Sequence, residues 1–130
     1  MQKILVILSL LFLTGCNATI ATFVPSFWDD NQSRSIITAR QLIVNISCED
    51  TQNFQAAQIQ KELQWFQLYS ESKGYLQHDV LELIAPMQKT VNEWADRSRE
   101  KEPSAAYCRI KKEILAKQAE LASKAVLGRF

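Results

Sequence analysis

The chain is poor in the residues that build compact chemical sites. Its 130 residues include one histidine, three glycines and three prolines. Glycines at 15, 74 and 128 are too scattered to form a phosphate-cradling loop. The single histidine, His78, has no serine or cysteine nucleophile signature near it, so no catalytic residues are assigned. His78 and Glu82 stand four apart and pair at most as neighbours on a helix face. A zinc site would need Cys48, Cys108 and His78 to converge without the close ligand spacing such sites use. The sequence therefore calls for no metal and no cofactor. An excess of one charge is also missing, with 15 Lys+Arg against 14 Asp+Glu. A nucleic-acid partner would want a basic face to neutralise phosphates, and none is indicated. The basic doublet Lys111-Lys112 reads as a solvated helix face.

What the chain does have begins at its N-terminus. Lys3 supplies a positive charge, and residues 4–12 are almost continuously apolar. A charged start followed by a short hydrophobic stretch is the layout of a secretory signal. The stretch is shorter than the ~20 residues of a permanent membrane-spanning helix. Leu13-Thr14-Gly15-Cys16 follows: an aliphatic residue, two small ones, then a thiol.

This tetrapeptide resembles the lipobox of bacterial lipoproteins. The resemblance implies cleavage between Gly15 and Cys16. It also implies a diacylglycerol on the Cys16 sulfur and a further acyl chain on its freed amine. Several chains together anchor stably where one does not. Asn17, in place of the aspartate that often retains such proteins at the inner membrane, points to the periplasmic face of the outer membrane. On this reading residues 1–15 are a signal peptide, 16–28 a lipidated tether and 29–130 the folded domain. The tether carries Phe23, Phe27 and Trp28. These aromatics either sit at the membrane interface or fold under the domain and plug the end of its core. The second is the expectation, because the tether leads straight into the first helix.

The domain reads as four helices. Asp29, Asp30 and Ser33 offer caps for the first, whose apolar face is Ile36, Ala39, Ile43 and Ile46. Leu42-Ile43-Val44 also suits a strand core. Asp50 or Thr51 suits the cap of the second helix. Its stripe is Ala56, Ile59, Leu63 and Phe66, broadened by Trp65, Leu68 and Tyr69. Gln52, Gln55, Gln58, Gln60, Gln64 and Gln67 fill its water-facing side, and Lys73-Gly74 closes it. A third helix runs over 76–99 on Val80, Leu83, Ile84, Met87, Val91, Trp94 and Ala95. Pro86 predicts a kink over 82–85. Pro103-Ser104 opens the last helix, with Ala106, Ile110, Ile114, Leu121 and Ala125 expected inside and Gly128 as the stop. Sustained strand alternation is lacking. Short loops favour an all-α, up-and-down four-helix bundle.

Cysteine arithmetic fits that topology. With Cys16 acylated, Cys48 and Cys108 remain. An oxidising periplasm favours pairing them, and an up-down-up-down path places both at the membrane-distal pole. Glu49, Asp50, Glu100 and Glu102 gather at the same pole, read as solvated loop charges. Phe130 is expected near Leu127 and Phe23 at the other pole. Trp94 is expected inside. Trp65, which flanks the second stripe, is the candidate partner contact.

The functional expectation is a non-enzymatic, membrane-anchored helical module that binds an envelope protein. The layout also resembles small envelope lipoproteins of phages, prophages and plasmids. That resemblance implies superinfection exclusion or assistance to lysis. An enzyme or inhibitor acting on the cell wall is the rival class.

Overall fold

A computed structural model describes residues 27–74 and 77–129. The signal segment, Cys16, Phe23, Leu76 and Phe130 lie outside the described residues. Four helices make up the described part: α1 (Asp30–Val44), α2 (Gln52–Ser72), α3 (His78–Glu100) and α4 (Ala105–Leu127). No strand occurs among the described residues. Each helix packs on two neighbours: α1 and α3 both lie against α2 and α4. This is the closed ring of an up-and-down bundle. Connections 45–51, 73–77 and 101–104 are short, so sequential helices run antiparallel.

Local chemistry starts the helices. The Asp29 carboxylate accepts from the Gln32 amide at 2.9 Å and caps α1. The Ser104 hydroxyl accepts from the Tyr107 amide at 3.2 Å and caps α4. At α2 neither Asp50 nor Thr51 supplies the cap. The Glu102 carboxylate reaches across from the α3–α4 connection and accepts from the Gln52 amide at 2.8 Å. Tertiary proximity thus replaces a local cap. Gly74, past the end of α2, sits at φ +92°, a conformation that glycine adopts freely. The α3 helix runs unbroken through Pro86.

The core follows the predicted stripes in three helices. Ile36, Ala39, Ile43 and Ile46 are buried on the first segment, and Ala56, Ile59, Leu63 and Phe66 on the second. Val80, Ile84, Met87, Val91, Trp94 and Ala95 are buried on the third. Helix geometry, not strand geometry, governs Leu42-Ile43-Val44. Each large apolar side chain withdrawn this completely contributes about 1.5–3 kcal/mol.

The fourth helix is turned differently from expectation. Ile110, Ile114 and Leu121 are exposed, at 58%, 39% and 69%. Ala106 is exposed and Ala125 half-buried. The buried line is Cys108, Leu115, Ala119, Ala122, Ser123 and Val126. Its spacing of seven, four, three, one and three also follows one helical face. The small residues Ala119, Ala122 and Ser123 let α4 lie close to its neighbours. Cys108 fixes the rotation by bonding Cys48, with S–S 2.02 Å and Cα–Cα 5.6 Å.

The disulfide lies at the pole opposite the one where Phe27 and Trp28 enter α1. Lys111 and Lys112 are not idle surface cations. Lys111 pairs with Glu93 of α3 at 2.9 Å, and Lys112 donates to the Ile46 carbonyl at 2.7 Å. They tie α4 to both of its neighbours.

Candidate interaction surface

The α2 helix carries Trp65, and the structure leaves it 46% exposed while Trp94 is wholly buried. Phe54 (65%) and Leu68 (57%) are exposed on the same helix. Sequence spacing assigned Leu68 to the buried stripe, but it lies on the outer side. Phe54, Trp65 and Leu68 are separated by eleven and three residues. At 3.6 residues per turn, those intervals place all three on one outward face. That spacing was a usable signal for the face.

Trp65 is held in place and does not simply dangle. Its indole stacks on the Tyr69 ring, one turn further along, with centroids 5.0 Å apart and planes 6° from parallel. Such an aromatic pair contributes on the order of 1 kcal/mol. Tyr69 is itself tied down at its other end. Its hydroxyl donates to Asp29 Oδ2 at 3.2 Å and accepts from Asn31 Nδ2 at 3.0 Å. The Lys73 ammonium lies 5.4 Å from the Tyr69 ring centre and pairs with the same Asp29 carboxylate. The chain Trp65–Tyr69–Asp29–Lys73 thus links the outer face of α2 to the start of α1.

Burial acts to raise the Asp29 carboxyl. The Lys73 ammonium, the Gln32 amide and the Tyr69 hydroxyl outweigh it and hold Asp29 below its ordinary range. The Asp29 partnership in turn holds the Lys73 ammonium above its ordinary value. Both groups stay charged at neutral pH.

Beside Trp65 runs a groove of about 220 Å³ between α1 and α2, lined by Asn31, Arg34, Ser35, Thr38 and Glu62. Its floor is braced by the Ser35 hydroxyl, which donates to Glu62 Oε1 at 2.5 Å. An aromatic plate next to a groove whose lining side chains are polar-ended but whose open surface is mostly apolar suits a protein side chain with one apolar and one polar end.

The other expected site residues fall as follows. Cys48 and Cys108 are joined, so neither supplies a thiolate. His78 lies at the opposite pole, with Nδ1 3.7 Å from Glu82 Oε1 and both side chains mostly exposed. They line a hollow of about 670 Å³ between α2 and α3. Its described lining contains no serine, threonine or cysteine. Among the described residues, no three His, Cys, Asp or Glu side chains are grouped to hold a metal ion. Glu102 is committed to the start of α2. Glu49 and Asp50 lie beside it around an open pocket that Cys48 also lines.

Gln52 and Gln55 do not face water as expected. Gln52 is buried, and its side-chain amide donates to the Pro103 carbonyl at 2.8 Å. The half-buried Gln55 clamps Ser47, accepting from its amide and donating to its carbonyl, each at 2.8 Å. Periodicity cannot show this, because glutamine serves both as a surface helix former and as a buried connector.

The aromatics entering α1 do not plug the core. Phe27 is 68% and Trp28 46% exposed. Among the described residues no helix is long and apolar enough to cross a membrane. The chain matches no family model, and no curated protein or solved structure proves similar to it.

Proposed function

We propose that this protein is a lipid-anchored envelope lipoprotein whose helical bundle binds an envelope protein without catalysis. Cys16 carries the lipid, and the bundle stands on the periplasmic face of the outer membrane. The single observation that carries the binding role is Trp65. It is solvent-exposed yet stacked on Tyr69, which is bonded to Asp29 and Asn31. Burying an aromatic that is already ordered costs little side-chain entropy, the property of an interface anchor. Lipidation concentrates the module near membrane partners, so a modest intrinsic affinity suffices. The anchoring role rests on the charged start, the apolar run and Leu13-Thr14-Gly15-Cys16. The crosslinked bundle supports a rigid presenting scaffold.

Two measurements test this together. Mass spectrometry of the mature chain should find it beginning at Cys16 with diacylglycerol and acyl additions. A photo-crosslinker replacing Trp65 should capture one discrete envelope protein in intact cells, and the same probe at Ile114 should not. An unlipidated product removes the anchor. Equal capture from both positions removes the assigned face.

A further inference from the structure

The pole where the chain enters the bundle has an unusual division of labour. Its interior is closed by polar side chains. Gln32, fully buried, donates through Nε2 to Ser70 Oγ at 2.8 Å and to Gln77 Oε1 at 2.7 Å. Asp29, Tyr69 and Lys73 flank this set. The glutamine bridge spans α1, α2 and the segment leading into α3, so buried polar side chains, hydrogen-bonded to one another, fill that end of the core. A core end already filled in this way leaves an aromatic side chain no apolar pocket to enter.

Outside this polar lid stand Phe27 and Trp28, adjacent and exposed. The Trp28 indole N–H donates to Asp30 Oδ1 at 2.8 Å, which holds the ring beside the first turn of α1. Two neighbouring aromatics left in water, one with its polar edge satisfied, match the side chains favoured at the membrane–water boundary.

Chain length adds the second argument. Residues 17–26 separate Cys16 from Phe27. Fully extended, the chain from Cys16 to Phe27 reaches at most about 40 Å, so Phe27 and Trp28 never leave the neighbourhood of an anchored Cys16. Confinement this close makes even weak partitioning effective.

We infer that this pole rests on the bilayer, with Phe27 and Trp28 inserted at the headgroup level of uncharged phospholipid. The inference rests on the lipid-anchor reading of Cys16. Charge argues for neutral headgroups. Asp29, Asp30, Glu71 and Asp79 stand against Lys73, Lys124 and Arg129 at this end, so no basic excess draws anionic lipid. Docking there sets the bundle upright, directs the disulfide pole away from the lipid and turns the Trp65 face sideways, parallel to the bilayer.

The test uses mature protein purified from membranes and reconstituted into phosphatidylcholine vesicles. Phosphatidylcholine brominated near the headgroup end of its acyl chains serves as the quencher. Trp65→Phe removes one emitter. Trp94 is wholly buried and bonded to Gln52 at the far pole, so it stays a constant background. Subtracting the spectrum of Trp28→Phe/Trp65→Phe isolates Trp28. The Trp28 signal is expected to shift to the blue and to fall roughly twofold with brominated lipid, at low and high salt alike. Flotation of the same vesicles separates the two readings. Protein that floats with unquenched Trp28 overturns the docked pole and leaves the anchor intact. Protein that does not float overturns the anchor, and the docked pole with it.

Discussion

Trp94 donates its indole N–H to the side-chain carbonyl of Gln52 at 3.0 Å, and both side chains are buried. The same glutamine donates to the Pro103 carbonyl, and its backbone amide donates to Glu102. One residue at the start of α2 therefore holds α3 and the connection into α4. It also satisfies the one polar atom of the largest core side chain. The disulfide closes the same pole, so this end is fastened by covalent and polar links together.

Gln52→Leu tests that arrangement at nearly constant volume. It leaves the Trp94 N–H buried without an acceptor and the Pro103 carbonyl without this donor. A loss of about 2 kcal/mol is expected. Urea unfolding should show a lower midpoint with an unchanged slope. A midpoint equal to wild type would mean the contact contributes nothing.

Removing the crosslink should have a larger effect. Cys48 and Cys108 are 60 residues apart in sequence. Closing a loop of that size restricts the unfolded chain by up to roughly 4 kcal/mol. That is a large share of the roughly 5–15 kcal/mol that stabilises a typical domain. Cys48→Ala/Cys108→Ala, or reduction, should lower Tm by well over ten degrees, read by circular dichroism with and without reductant.

The rotation of α4 makes opposite predictions for neighbouring apolar positions. Leu115 is wholly buried, and Leu115→Ala should cost about 2–5 kcal/mol. Ile110 and Leu121 face solvent, and Ile110→Ser or Leu121→Ser should each cost less than about 0.5 kcal/mol. The reverse ranking in denaturant titrations would restore the stripe expected from periodicity.

Acid stability should depend on Asp29. Its folded pKa is held below the ordinary 3.8 by Lys73, Gln32 and Tyr69 acting against burial. A depressed carboxyl stabilises the fold above its unfolded pKa. That contribution is lost as pH falls through the folded value. Stability should therefore decline below about pH 3.8, with the loss complete only under the lowered folded pKa. The substitution Asp29→Asn keeps an acceptor for the Gln32 amide but removes the titrating group. The variant should be less stable than wild type near neutral pH and should show a flatter acid limb in Tm measured from pH 5 to pH 2.

Much of this was legible residue by residue. The stripes of α1, α2 and α3 follow from spacing, because each had one candidate face. Pairing of Cys48 with Cys108 follows from helix count and direction. Other features were hidden. Glutamine reads as a surface residue whether it faces water, like Gln58, or closes a pole, like Gln52 and Gln32. Phe27 and Trp28 are expected to plug the core because the tether leads straight into α1, yet both rings are exposed and buried polar groups fill the pole instead.

Four helices, their up-and-down order and three of their inward faces are written into the linear pattern of residues. Those properties are local or follow from periodicity and loop length. The azimuth of α4, the cap of α2 and the choice of which aromatics remain outside are settled by packing between helices. The α4 sequence carries two helical stripes, one of Ile110, Ile114 and Leu121 and one of Cys108, Leu115, Ala119 and Val126. Hydrophobicity favours the first. A covalent bond to Cys48 and the close approach permitted by small residues select the second, and both act between helices distant in sequence.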